Sequence, residues 1–578
     1  MAEMSSKRAA KESKAGAEKC THNGLKLSAS RRLPSSLEGE VLSFAAVRDL
    51  AALLQTSGDM RALVHGWLRT TPRLTIDLVT SCDITYNKQG SCVDARLLPD
   101  LRIVLKAVQS CCSQLQTLEV EDRSKWARLD TSTVLSPHWL VAVLNANSST
   151  LRHVRAQIVE LWTEETFAAL ANCAELRSLR DPSGRDRIDS KLHPLFRMVA
   201  DSCPKIECLH CPCLGDDQLD LVQASLQLVD VTLLVRVLDN PDTLPLLTAL
   251  SRHHATLRSL VIELEFLGGI HCTVLTAVCE ELLPQLTELE KLKVSNSVFY
   301  RPEQQFSPTR VLKMPALKLL LWTAPFRLRL DAPQLTRTDM LLPEDCEWLQ
   351  TSPNLERLHL TSRWDQPSDG DPRFLLNAGG AARWPQLREI CARFSTAVVE
   401  LAPACLSQLR LLSISFNGCP SDVQRLLASL PLLEEVVITP FPKTHEKQQE
   451  AKSQPAEPVC REALSAPLHR LPRLASLTLG TADDALLTAF ELPVLQRFLL
   501  EGDDTTLQIK QFERCLALAP HLQTLTINTG SVKLSAACAR PLPHLVSLQL
   551  SPFVAHQDFV LLLPACPNLR ELETHDTY

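Results

Sequence analysis

The chain has 578 residues, of which 45% are hydrophobic and 22% are charged, and its formal net charge is -6. This composition is typical of a soluble folded protein, and the negative net charge argues against non-specific binding to nucleic acid, which needs a basic surface. With 17 glycines and 5% aromatic residues, the composition also argues against a β-sandwich built on glycine turns.

The 20 cysteines raise the question of a secreted disulfide scaffold. Residues 1–31 are polar and lack the apolar segment of a signal peptide. Many cysteines also lie within apolar stretches, where they serve as small buried hydrophobic residues. We therefore expect a reducing compartment, the cytoplasm or else the nucleus. No run of about 18 apolar residues occurs, so we expect no membrane span and no membrane partner.

The first residues of the chain divide into two segments. Residues 1–31 are poor in bulky apolar side chains, which predicts a disordered tail. Residues 32–70 show the apolar spacing of a small helical domain, with helices predicted over 35–43, 47–56 and 59–68. Leu74, Ile76 and Leu78 then alternate with polar residues, which predicts a strand.

From there to the C-terminus one sequence motif recurs, Pro-x-Leu-x-x-Leu-x-Leu, which we call the phrase. Residues 353–360 (PNLERLHL) are a clear example. A strand that is apolar on one face cannot bury that face alone, so a recurring phrase predicts a solenoid with stacked strands. The phrase resembles the strand signature of leucine-rich repeats. Its first apolar residues are Leu115, Leu151, Leu176, Ile206, Leu228, Leu257, Leu289, Leu317, Leu335, Leu355, Leu387, Leu409, Leu433, Leu474, Leu495, Leu522, Leu545 and Leu569.

Amphipathic runs between these phrases predict helices, so residues 71–578 are expected to form an α/β leucine-rich-repeat solenoid, or horseshoe. Its parallel sheet would line the concave face, with helices outside. The segment 441–460 is expected to be a flexible insertion, because its core, 444–458, is charged and nearly free of large apolar residues.

Because side chains alternate along a strand, the residues between the leucines should face outward. This exposed row changes from charged to uncharged along the chain, which suits an extended protein partner. Trp364 lies in a polar loop and is a candidate anchor for a partner. The candidate substrate-binding residues on the concave face are Lys291, Lys293, Arg337, Arg357, His359, Trp364 and Arg393.

Residues 33–68 resemble an F-box. The resemblance lies in Leu33-Pro34, Val41-Leu42, Phe44 and Asp49-Leu50, followed by 53–64 (LLQTSGDMRALV); Met60 departs from the usual Trp or Phe. The resemblance implies docking on a Skp-type adaptor and a cullin. The implied adaptor-binding residues are Leu33, Pro34, Leu42, Phe44, Val47 and Leu50.

The combined resemblance implies the substrate-recognition subunit of a cullin-based (SCF-type) ubiquitin ligase, whose repeats hold a protein substrate. The alternative is a non-catalytic leucine-rich-repeat interaction scaffold without a ubiquitin link, in which residues 33–68 only cap the solenoid. No catalytic motif occurs in the sequence, so we expect neither an enzyme nor a cofactor. The negative net charge likewise leads us to expect no nucleic-acid partner.

A dense group of cysteines and one histidine, Cys203, Cys208, His210, Cys211 and Cys213, raises the possibility of zinc. Its spacing matches no common zinc finger. On a strand, neighbouring side chains point to opposite faces, so all five cannot converge on one ion. We therefore expect no metal site.

Overall fold

A computed structural model gives the structure of part of the chain. The described residues are 47–77, 82–86, 92–97, 99–121, 137–156, 161–180, 193–210, 219, 222–223, 225, 227–237, 243–266, 278–296, 311–323, 329–341, 349, 351–361, 384–393, 408–416, 427, 430–440, 469–479, 490–507, 519–532, 541–550 and 566–574. The predicted disordered tail 1–31 and the predicted insertion 441–460 lie outside them.

The described helices belong to the N-terminal half of the chain. They are α1 Val47–Thr56, α2 Gly58–Thr70, α3 Pro99–Cys111, α4 Pro137–Ala146, α5 Glu164–Ala171, α6 His193–Ser202 and α7 Thr243–Ser251, followed by a π-helical turn at Val278–Leu282 and a 3-10 turn at Leu283–Gln285. Helices α1 and α2 confirm two of the predicted N-terminal helices. Among the described residues, no helix is long and apolar enough to cross a membrane.

Nineteen strands form one open sheet, and each pairs in parallel with the next along the chain. They are β1 Arg73–Asp77, β4 Thr117–Glu121, β5 His153–Ala156, β6 Ser178–Arg180, β7 Cys208–His210, β8 Asp230–Val237, β9 Ser259–Phe266, β10 Lys291–Asn296, β12 Leu319–Trp322, β14 Arg337–Leu341, β15 Arg357–Thr361, β16 Glu389–Arg393, β17 Leu411–Phe416, β18 Glu435–Pro440, β20 Ser476–Leu479, β22 Arg497–Leu507, β23 Thr524–Val532, β24 Ser547–Leu550 and β25 Glu571–Thr574. The long parallel sheet is compatible with the predicted solenoid.

Each predicted phrase corresponds to one strand of this sheet. The strand begins two residues after the first apolar residue of the phrase. Leu355, for example, precedes β15. The proline of the phrase has a structural role in the turn before the strand. Pro353 occupies a turn closed by the Leu355 N–H, which donates to the Ser352 carbonyl at 3.3 Å. Proline suits this position because its ring fixes φ near the value that the turn requires.

Three small strand pairs lie outside the large sheet. The pairs β11 Leu312–Lys313 with β13 Leu330–Asp331, and β19 His469–Arg470 with β21 Phe490–Glu491, are parallel. The third pair, β2 Cys82–Tyr86 with β3 Cys92–Leu97, is antiparallel. The hairpin was not predicted, and it corrects the expectation of a purely parallel solenoid after residue 71.

The leucines of the phrases and the apolar residues of the helices form one continuous core. The central leucines Leu358, Leu477, Leu525 and Leu548 are all buried, as the phrase predicts. Helix α5 contributes Phe167 to this core. Thr163 caps the start of the helix, and its hydroxyl accepts a hydrogen bond from the Thr166 N–H at 3.3 Å. An N-terminal cap of this kind satisfies a backbone donor that the helix itself leaves unpaired.

Candidate functional site

The candidate site is the exposed face of the large sheet, opposite the core. We call its middle part, formed by β10, β12, β14, β15 and β16, the central patch. The first residue of each of these strands and the residue two positions later project to this face, because side chains alternate along a strand. The ten side chains are Lys291, Lys293, Leu319, Leu321, Arg337, Asp339, Arg357, His359, Glu389 and Cys391.

The central patch brings together five of the predicted substrate-binding residues. Lys291, Arg337 and Arg357 are exposed, whereas Lys293 and His359 are half-buried. Arg393 is in β16 and registers with Ser415 of β17, but its side chain is outside the described residues. Trp364 is also outside them, so the structure does not test its predicted role.

Ion pairs between adjacent strands fix several of these side chains. The Arg357 Nε lies 3.2 Å from the Glu389 Oε2, and the Lys293 Nζ lies 3.1 Å from the Glu263 Oε1 of β9. Arg357 and Glu389 are directly opposite each other, whereas Lys293 and Glu263 are diagonal neighbours, and cross-strand pairs of both kinds contribute modestly to sheet stability. Their main effect here is to hold charges at a fixed spacing along the face.

The His359 imidazole has a hydrogen-bonding partner on each of the two neighbouring strands. Its Nδ1 lies 3.0 Å from the Asp339 Oδ2, and the histidine side chain is 37% exposed. Hydrogen bonds with the Asp339 carboxylate and with the Cys391 thiol raise the pKa of His359 to about 9. The ring is therefore protonated at neutral pH, and the patch keeps this positive charge throughout the physiological range.

Leu319 and Leu321 lie between the charged residues of β10 and those of β14. Both leucines are half-buried although they point away from the core. The central patch therefore combines a small apolar area with flanking positive charges. Such a combination suits a protein partner, because apolar contacts supply affinity while charges set orientation.

A second charged group lies nearer the N-terminus, on β6 to β8. Asp230 lies 3.3 Å from the Arg180 Nη2 and 3.1 Å from the His210 Nε2. Burial raises the pKa of Asp230, but contacts with His210 and Ser259 and the charge of Arg180 outweigh burial, and the pKa falls below its ordinary value. This group was missed at the sequence level, although alternation along the strands would have placed all three side chains outward.

The cysteine and histidine group considered for zinc divides between the two sides of the sheet. Cys203 is buried, and its thiol donates to the carbonyls of Leu170 and Cys173, each at 3.4 Å. His210 instead faces outward toward Asp230, while Cys211 and Cys213 are outside the described residues. Within the described ranges, no group of three or more His, Cys, Asp or Glu residues could hold a metal ion.

Of the predicted adaptor-binding residues, Leu33, Pro34, Leu42 and Phe44 precede the described part of the chain. Val47 begins α1, but its side chain is not described. Leu50 is only 4% exposed and belongs to the core. Leu50 therefore packs into the core, and its contact with an adaptor stays a prediction.

The helical pair α1–α2 packs against helix α3. Ala51, Leu54, Val64 and Leu68 are buried in the same core as Leu50. A further three side chains of the pair are only partly buried against that core: Leu53, Leu63 and Trp67. The pair thus contributes to the core beside α3 and still keeps some apolar area at its surface.

Comparison with known proteins adds no family to this description. No family model matches the chain, and a search of curated proteins finds no match either.

Proposed function

We propose that this protein is a non-catalytic binding protein that holds a protein partner on the exposed face of its sheet. The observation that carries the proposal is the central patch, in which half-buried Leu319 and Leu321 lie between Lys291 and Lys293 on one side and Arg337 and Arg357 on the other. A partner segment with acidic residues around an apolar side chain fits this arrangement.

Site-specific crosslinking in the full chain tests this proposal. A photoreactive amino acid is placed at Leu321 in the central patch or, as a matched control, at Gln109, an exposed residue of α3. We expect one partner protein to be crosslinked from position 321 and not from position 109. Double charge reversal, Lys293→Glu with Arg357→Glu, should abolish that crosslink while the protein stays folded, with only a modest fall in unfolding temperature because two cross-strand ion pairs are lost. Equal crosslinking from both positions would contradict the proposal.

We further propose that the partner is a substrate of a cullin-based ubiquitin ligase, with residues 32–70 docking on a Skp-type adaptor. The F-box resemblance of residues 33–68 supports this proposal, as does the apolar area that Leu53, Leu63 and Trp67 keep at the surface of α1–α2. The burial of Leu50, Leu54, Val64 and Leu68 favours the alternative, an interaction scaffold in which the helices only cap the sheet.

Binding between the purified full chain and a purified Skp-type adaptor from the same organism distinguishes these two functions. The ligase function predicts a stable complex, which the double change Leu33→Ala and Pro34→Ala should abolish. The same variant should still crosslink its partner from position 321, which shows that the sheet remains folded. If the wild-type protein does not bind the adaptor, the scaffold function takes the place of the ligase function.

A further inference from the structure

Three chemically complementary side chains lie side by side on the central patch. Asp339, His359 and Cys391 occupy the same register position on the adjacent strands β14, β15 and β16. His359 contacts the Asp339 carboxylate on one side at 3.0 Å and hydrogen-bonds the Cys391 thiol of the opposite neighbouring strand. The order carboxylate, imidazole, thiol is the arrangement that activates a cysteine nucleophile, because the imidazole accepts the thiol proton and the carboxylate stabilises the resulting cation.

Cys391 differs from the other described cysteines in its surroundings. Burial raises the pKa of the Cys112, Cys173 and Cys279 thiols to about 12, and these thiols are inert packing groups. Cys208 is the best comparison, because it is also half-buried and also lies on the exposed face of the sheet. Yet burial raises the pKa of Cys208 as well, despite its hydrogen bond with Arg180.

The groups around the three residues favour a negatively charged sulfur. On β14 and β15 the neighbouring side chains are Arg337 and Arg357; on β16 the neighbour is Glu389, which is paired with Arg357. Beyond β16, Ser413 of β17 registers with Cys391, and beyond β14, Leu321 of β12 registers with Asp339. Asp339 lies two strands away from Cys391, on β14, and its carboxylate is paired with His359.

We propose that Cys391 is a reactive thiolate, activated by His359 and Asp339, and that it is a site of reversible oxidation by hydroperoxides. The thiol proton resides on His359, so the pair exists as thiolate and imidazolium. Reactive cysteines are characteristically partly exposed and next to a cationic group, and Cys391 meets both conditions. The proposal goes beyond partner binding and does not depend on it.

The reaction with hydrogen peroxide balances without any further reagent. The Cys391 sulfur attacks one peroxide oxygen, a sulfur–oxygen bond forms and the oxygen–oxygen bond breaks. The leaving hydroxide takes the proton from the His359 imidazolium and departs as water. The sulfur is oxidised by two electrons to a sulfenic acid, and the peroxide is reduced. Because the sulfur lies on the central patch, this modification would place a new polar group among the partner-binding residues.

Alkylation of the full-length protein by iodoacetamide tests the thiolate directly. The modification rates of the peptides that contain Cys391 and Cys208 are measured by mass spectrometry from about pH 5.5 to about pH 8.5, a range below and up to the pKa of an ordinary thiol. We expect Cys391 to react at least roughly tenfold faster than Cys208 near pH 6, because only a preformed thiolate reacts at that pH. Equal rates, or an ordinary thiol profile for Cys391, would overturn the proposal.

Two variants assign the activation to the histidine. His359→Gln keeps a polar side chain of similar reach but cannot hold the proton, so the rate of Cys391 near pH 6 should fall about tenfold toward that of Cys208. Asp331→Asn removes a charge at an exposed position of β13, outside the central patch, and should leave the rate unchanged. If His359→Gln does not fold, the wild-type pH profile alone decides the question.

Oxidation is tested separately with hydrogen peroxide, followed by dimedone to trap sulfenic acid. We expect trapped product at Cys391 before any at Cys208, and its reversal by dithiothreitol when dimedone is omitted. The Cys391→Ser variant should lose this product and keep the unfolding temperature of the wild-type protein. If Cys391 reacts rapidly with iodoacetamide but yields no sulfenic acid, the proposed oxidation is wrong.

Discussion

The Asn147 carboxamide accepts a hydrogen bond from the Leu115 backbone N–H at 2.8 Å, between the segments that precede the neighbouring strands β4 and β5. The same side chain donates to the carbonyls of Val143, at 2.8 Å, and Cys112, at 3.2 Å. Asn147 is fully buried. One amide thus ties the end of α4 to the turn that precedes β4, and it satisfies polar backbone groups that no water could reach.

Replacing Asn147 by alanine should therefore destabilise the protein, because it leaves a buried N–H and two carbonyls without this partner. We expect the free energy of unfolding to fall by roughly 1–3 kcal/mol, measured by urea denaturation. Asn354→Ala is the matched control: its amide also donates to a backbone carbonyl, that of Pro333 at 3.0 Å, but at the surface. If both variants lost the same stability, burial would not explain the role of Asn147.

The core leucines of the phrases should contribute more to the free energy of unfolding in the interior of the sheet than at its end. Leu525 of β23 is fully buried, whereas Leu572, at the equivalent position of β25, is 43% exposed. Leu525→Ala should cost roughly 2–5 kcal/mol, from lost burial and the cavity that remains. Leu572→Ala should cost under about 1 kcal/mol, as for most surface changes. Thermal unfolding of both variants measures the difference, and equal midpoints would show that the strand register assigned here is wrong.

The strands of the large sheet were predictable because each carries its own signal. The spacing of Leu355, Leu358 and Leu360 specifies which side chains are buried, and Pro353 marks the turn before them. Such a repeated strand can be predicted from its own residues alone, since each repeat contacts chiefly its neighbours in the sequence.

The antiparallel pair β2–β3 was missed because its pattern is short and occurs once. The sequence also left open whether Leu50 is buried in the core. An apolar residue on an amphipathic helix has the same spacing whether that face of the helix contacts a partner or the core. Cys391 could have been found, since it lies two residues before Arg393, which was predicted to face outward. Its pairing with His359, however, depends on which strands are neighbours and on their register.

Ion pairs of the exposed face should contribute little to stability, which distinguishes them from the core. The Arg357 and Glu389 side chains are 51% and 33% exposed. Exposed pairs are typically worth under about 1 kcal/mol and are weakened by salt. We expect Arg357→Ala to change the unfolding free energy within that range while it weakens binding of the crosslinked partner. A large loss of stability would show that Arg357 is a structural residue.

The contact between Asp339 and His359 should make stability depend on pH in a definite direction. The folded pKa of His359, about 9, lies above the ordinary value for an unfolded chain, about 6.5. A raised folded pKa means that the folded state holds the proton more tightly. Its contribution is complete below about pH 6.5 and is lost as the pH rises toward 9.

Asp339→Asn removes the largest cause of the raised pKa, and with it most of this contribution. Wild type and variant should therefore differ most in denaturation midpoint between about pH 5 and pH 6.5, where the Asp339 carboxylate and the His359 imidazolium are both charged. The difference should shrink as the pH approaches 9, because the wild-type imidazole then loses its proton. Urea denaturation at a series of pH values measures the trend, with Asp331→Asn, an exposed aspartate of β13, as the control. A difference that grew with pH would mean that His359 is neutral in the folded protein, and it would remove the cation that the proposed Cys391 thiolate requires.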